Sequence, residues 1–141
     1  AIGHQVRARA LVTALGGAAD GAAGAPEGAP ARVLVLSAFG VGDSLPMASP
    51  LQRLMYRTVM RDLFQDKARA DAIWRDSGPD WTIVRPVTLT AGPPTGDYAA
   101  AERLTARGFP RVARADVAHF MVAQASSDAW SRRTALLRRR P

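Results

Sequence analysis

A chain of 141 residues, 48% of them apolar, is long enough to bury the core of one domain. It holds no cysteine, which excludes disulfides and thiolate metal sites, and no apolar run approaches the ~20 residues that span a bilayer. Of the formal net charge of +7, five charges come from Arg132, Arg133, Arg138, Arg139 and Arg140, so the basicity belongs to the last ten residues and not to the whole surface.

The first residues lack a basic stretch followed by a hydrophobic one, so no secretory leader is read and the cytoplasm is the expected location. Ile2, Val6, Ala10, Leu11 and Leu15 form one helical stripe, and Gly16-Gly17 ends it, which predicts a helix over residues 1–15. Residues 16–30, GGAADGAAGAPEGAP, have too few bulky side chains to pack and read as a linker.

Residues 31–39, ARVLVLSAF, form the first predicted strand. Val33 to Leu36 run without polar alternation, as in a central parallel strand covered on both faces. The loop from Gly40 to Pro50 follows. Its Gly40-Val41-Gly42 start lacks the third glycine of a dinucleotide fingerprint, since Leu45 stands there. Leu51, Leu54, Met55, Val59, Leu63 and Phe64 then recur at spacings of three and four, which predicts one helix from Leu51 to about Asp76 with that stripe buried. Ser77-Gly78 closes it, and a second strand, Trp81 to Arg85, ends at Pro86. Such a strand–loop–helix–strand unit predicts an α/β fold, in which ligands sit beyond the carboxyl ends of parallel strands. Ser37, Lys67 and Pro86 fall at that end.

Lys67 is the only lysine in the chain and lies on the predicted apolar stripe. An ammonium there must be paired, with Asp71 at the i, i+4 spacing as the available partner, or must reach a polar cavity. Residues 87–98, VTLTAGPPTGDY, read as a loop beyond the strand end, with Tyr98 and Phe39 as candidates either for stacking on a ligand or for ordinary packing. Tyr98–Leu104 and Arg111–Ala113 read as short strands. A helix is predicted from Arg114 to about Ser126, with Val117, Phe120 and Met121 inward and Asp116 in its first turn. His119 reads as a structural or surface histidine, with no second histidine placed for a metal pair. Residues 132–141 read as a solvated basic tail in preference to a nucleic-acid site.

The segments VLVLSAFGVGDS, DKARADAIWRDSGPDWTIVRP, TGDY and RVARADVAHFM, in this order between Ala31 and Val122, resemble the atypical short-chain dehydrogenase/reductases. The group that they resemble includes biliverdin-IXβ (flavin) reductase and the nitrogen-repressor-like cofactor sensors. The resemblance implies a Rossmann-type fold that binds NADP or NAD. It implies that Ser37 faces the nicotinamide and the substrate and that Lys67 holds the nicotinamide ribose, these two being the catalytic candidates. Phe39, Pro86, Val87 and Thr88 join them around the ring. Ordinary short-chain dehydrogenases carry a tyrosine four residues before the lysine; here that residue is Leu63. Reduction of a flavin-like or other conjugated small molecule is therefore the expected activity, and non-catalytic NAD(P) sensing is the alternative.

A complete Rossmann domain is larger than this chain. The family's first strand, its glycine-rich turn and the acidic residue for the ribose are not found upstream of Ala31. The expectation is then the carboxyl-terminal half of the parallel sheet over residues 31–131, from a fragment of a longer protein or from a short one that completes its sheet as a homodimer.

Overall fold

The computed structural model describes residues 32–140. The helix over 1–15, the linker over 16–30 and His4 lie outside the described residues. Among the described residues there are two sheets: four strands in the order β1-β2-β6-β4, and a small pair, β3-β5. In the larger sheet β1 (Arg32–Leu36), β2 (Asp80–Pro86) and β6 (Arg133–Arg139) are parallel, and β4 (Tyr98–Ala101) is antiparallel to β6. β3 (Thr88–Thr90) and β5 (Arg111–Ala113) pair in parallel beyond the end of β2.

β2 holds the centre because its residues are apolar on both faces. Trp81 and Ile83 pack with Ala70 and Trp74 of the helix α2 (Arg61–Arg75). Val84, on the opposite face, joins Val117 and Phe120 of the helix α3 (Arg114–Gln124) and Leu136 and Leu137 of β6 in the main core. β1 does not take the central place expected of it. Among the described residues it is an edge strand, half-buried, with Leu36 50% exposed. An unbroken apolar run reports cover on both faces, not rank in the strand order.

The single helix expected from Leu51 to Asp76 is two. A short 3-10 helix (Gly42–Met47) precedes α1 (Pro50–Arg57), which starts on Pro50 with a Ser49–Gln52 capping box. The chain then breaks at Thr58–Met60, where two β-branched residues, Thr58 and Val59, stand together and the Thr58 hydroxyl bonds back to the Leu54 carbonyl at 2.8 Å. The stripe predicted as core is exposed at Leu51, Leu54, Val59 and Leu63, the last 39% accessible. Phe64 of that stripe is buried as expected and Met55 is partly buried, and Gln52 and Tyr56 of α1 and Ala70, Asp71 and Trp74 of α2 join them in the interior.

The basic tail is also corrected. Arg133–Arg139 forms β6, one of the two inner strands of the larger sheet and bonded on both sides. Counting arginines hid the run Ala135-Leu136-Leu137, which is almost wholly buried while the flanking arginines reach outward. Arg132 donates to the carbonyls of Ser77 and Gly78, and Arg133 pairs with Glu102 at 2.6 Å. Of the remaining elements, β5 keeps its predicted bounds, β4 is shorter than predicted, and α3 starts as predicted and stops at Gln124.

Candidate functional site

The site forms where β1 and β2 end. Past Leu36 the two strands stay bonded: the Ser37 amide donates to the Val84 carbonyl at 2.8 Å and the Phe39 amide to the Pro86 carbonyl at 3.0 Å. Val87 then donates to Leu137 at 2.9 Å, and Thr88 to Pro110 at 3.2 Å. Ser37, Phe39, Pro86, Val87 and Thr88 thus share one end of the sheet. Phe39 takes the packing alternative, since its ring is 2% exposed within the main core. Thr88 is exposed.

Ser37 is buried, and its hydroxyl donates to Asp71 Oδ2 at 2.9 Å. Its one proton is committed to a carboxylate, so Ser37 offers lone pairs, not a proton, to anything beyond it. Asp71 is buried and does not pair with Lys67. The same Oδ2 accepts from Arg85 Nε at 3.1 Å and Nη2 at 2.9 Å. Arg85 stands at the β2 position that alternation turns toward α2, on the face of Trp81 and Ile83. It is 1% exposed. Its Nη1 reaches Asp43 Oδ1 of the 3-10 helix at 2.5 Å, and Arg75 Nη2 meets the same oxygen at 3.3 Å. Partial burial works to raise the Asp43 pKa, but the Arg85 and Arg75 guanidiniums outweigh it and hold the carboxyl below its ordinary value. One buried arginine therefore ties the 3-10 helix and α2 to the central strand. Sequence reading missed its role. The available signal was a charge inside an otherwise apolar buried strand, which must find a partner.

Lys67 lies one helical turn before Asp71, on the side of α2 that faces Ser37. It is half-buried and makes no hydrogen bond or ion pair among the described residues. A half-buried ammonium with its donors free, beside a serine that can only accept and a strand end with an exposed Thr88, suits the hydroxyls and amide of a nicotinamide nucleoside. The residues fit that half of the cofactor. Leu63 is exposed, and Tyr56, on α1, stacks on Phe64 with ring centroids 4.5 Å apart, so neither supplies a tyrosine beside Lys67.

On the far side of the sheet end, the loop before β4 is pinned to α3. Asp116 accepts from the Thr95 amide and hydroxyl, each at 2.7 Å, and from the Gly96 amide at 3.0 Å. Tyr98 meets His119 Nδ1 at 2.7 Å and packs edge-on against Phe120, so it packs at this corner and lies on no open stacking surface. The Thr95 hydroxyl bond, more than burial opposes it, together with the Gly96 and Thr95 amides, lowers the Asp116 pKa below its ordinary value of 3.8. A carboxyl lowered on folding adds stability that is complete above its unfolded pKa and is lost as the pH falls through the folded one. Thermal melts of the wild type and Asp116→Asn should therefore differ at neutral pH, with the variant less stable, and should converge as the pH drops below the ordinary carboxylate value. A constant gap at all pH values would contradict the charge role.

A three-layer α/β arrangement with parallel strands, and a lysine-bearing helix returning across the end where a serine stands, defines an NAD(P)-binding domain of the Rossmann type. A family model described as NAD(P)H-binding matches residues 7–128, and the chain belongs to that family. No curated protein matches it. Among solved structures it is similar to an anaerobillin reductase, ChuY, of Escherichia coli O157:H7, with 26% identity, a TM-score of 0.65 and coverage of 79% of this chain and 52% of that one. A second Escherichia coli ChuY structure gives 25% identity, a TM-score of 0.66 and coverage of 79% and 59%. A short-chain dehydrogenase/reductase of Veillonella parvula in complex with NADP shares the fold at 20% identity and a TM-score of 0.72, covering 97% of this chain and 59% of that one. The chain thus spans between half and three fifths of the length of these structures. Among the described residues no helix is long and apolar enough to cross a membrane, and no group of metal-ligating side chains is found.

Proposed function

We propose that the chain carries the nicotinamide and acceptor side of an NAD(P)H-dependent reductase that acts on a conjugated small molecule. The observation that carries this reading is the Ser37–Asp71–Arg85 arrangement at the strand ends, with the unpartnered Lys67 one turn away. Lys67 holds the ribose hydroxyls, and the backbone and side chains of Pro86, Val87 and Thr88 border the ring. Ser37 accepts from the carboxamide or from a substrate N–H. The cofactor, when bound, supplies hydride.

No residue at this end is placed as a strong proton donor. Ser37 has given its proton to Asp71, and Leu63 stands where the tyrosine of alcohol dehydrogenation would be. Acceptors that take up hydride into a conjugated system and their proton from water suit such a site, and alcohols and ketones do not. The likeness to a structure described as an anaerobillin reductase supports a reductase reading.

The experiment is to follow the absorbance of NADPH with the chain, with FMN or a quinone, and with both. Consumption that needs both chain and acceptor is the expected result. NADPH that binds and is not consumed with either acceptor would replace the reductase by a cofactor sensor.

A further inference from the structure

α1 turns Gln52 and Tyr56 to the core. The side of a surface helix away from its buried face is normally charged or polar. In α1 that side carries Leu51 and Leu54, one turn apart and each 61% exposed. Val59, in the corner between α1 and α2, is 86% exposed, the most of any large apolar side chain among the described residues. Single exposed leucines are ordinary, but three aliphatic side chains gathered on one helix and its corner make a patch.

Arginines flank the patch. Arg53 and Arg57, again one turn apart, form the row next to Leu54, and Arg61 opens α2 on the far side of the corner. None of these three guanidiniums has a hydrogen bond or ion pair among the described residues, whereas Arg75, Arg85, Arg132 and Arg133 all spend theirs on carboxylates or carbonyls. Arg61 also stands at a helix N-terminus, where the dipole disfavours a cation, and no side chain caps that end. Asp62 is the one acidic residue between Pro50 and Gln65. Free cations beside outward leucines match a surface that is anionic above and apolar beneath. Nucleic acid would take the arginines and leave the leucines in water. A second copy of the chain would set like charges together, and three aliphatic side chains fall far short of the ~800 Å² that each partner of a stable complex buries.

We propose that α1 and the corner after it form a docking surface for an anionic lipid bilayer. Leu51, Leu54 and Val59 enter the boundary between headgroups and acyl chains, and Arg53, Arg57 and Arg61 meet the lipid phosphates. The proposal does not depend on the reductase reading, since no residue of this surface belongs to the strand-end site.

Sedimentation with sucrose-loaded vesicles, of phosphatidylcholine alone and of equal parts phosphatidylcholine and phosphatidylglycerol, measures the partition coefficient of the whole chain. The wild type should bind the mixed vesicles about 10-fold or more above phosphatidylcholine alone, and high salt should weaken that binding. Arg57→Gln/Arg61→Gln should lose about 10–30-fold, the worth of two cations at an anionic surface. Leu51→Gln/Leu54→Gln should lose about 10-fold or more with its charge unchanged. All four side chains are exposed and glutamine is a good helix former, so both variants should melt as the wild type does. No sedimentation of the wild type with the mixed vesicles would overturn the proposal without need of a variant. Binding that the leucine variant keeps would be charge alone and would overturn it too. A wild-type dimer in lipid-free sedimentation velocity, abolished in the leucine variant and joined to no vesicle binding, would give the face to a second copy instead.

Discussion

Arg85→Met destabilises the fold by about 3–5 kcal/mol, the usual cost of breaking a buried ion pair from one side. Asp71 is 3% exposed and would keep only the Ser37 hydroxyl as partner, with its charge unmatched. Asp43 would keep only the longer Arg75 contact. The methionine fills much of the arginine stem's space, so the loss reads the charge and not a cavity. A domain of this size should melt about 10–20 °C lower. Removing both charges, in Arg85→Met/Asp71→Leu, should recover most of the loss, because the penalty lies in the stranded carboxylate. Urea or thermal unfolding measures both variants. A single variant within about 1 kcal/mol of the wild type would mean that Asp71 finds another cation or is not ionised.

Lys67→Ala is the counterpart, with a large effect on the cofactor and little on the fold. Lys67 is half-buried and without a partner among the described residues, so nothing is stranded when it is removed. Stability should stay within about 0.5 kcal/mol. NADPH affinity should fall about 10-fold or more, the worth of charge-assisted bonds to ribose hydroxyls. Amide-resolved NMR titration of wild type and variant with NADPH reads this directly, because it reports weak and tight binding alike. An unchanged dissociation constant would remove the ribose role.

The parts of this fold that were legible are those written in contiguous residues. Val33–Leu36 and Trp81–Val84 are apolar runs bounded by Gly, Ser and Pro, and both are strands. Arg111–Ala113 and the helix that follows it are marked by Asp116 in the first turn and by Val117 and Phe120 inward. The helix after Pro50 departs from its expected form in two ways: Thr58-Val59 interrupts it, and α1 turns Gln52 and Tyr56 inward in place of Leu51 and Leu54, while Phe64 keeps its expected burial. The last strand was misread because three apolar residues stood between clusters of arginine, and charge was weighed above the run it enclosed.

The site divides in the same way. Ser37, Lys67 and Pro86–Thr88 can be placed from their positions at strand ends and on a helix. What orders them cannot, because Asp43, Asp71, Arg75 and Arg85 come from two helices and a strand and meet only in the folded chain. Asp71 shows the limit most plainly. Spacing offers it Lys67 on its own helix, and the fold gives it Arg85 from the central strand. A buried pair with two guanidinium nitrogens is worth more than a solvated i, i+4 pair, so the longer-range contact wins.

The central proposal is that the nicotinamide is held where β1 and β2 end. The wild-type arm of the NADPH titration tests it most directly. The amides of Ser37, Val87 and Thr88, and those of α2 around Lys67, should shift together and saturate, while those at the opposite end of the sheet, Asp80–Trp81 of β2 and Arg133–Thr134 of β6, should not. Shifts that gather at the far end of the sheet, or an absence of saturable shifts at Ser37, Lys67, Val87 and Thr88, would contradict it.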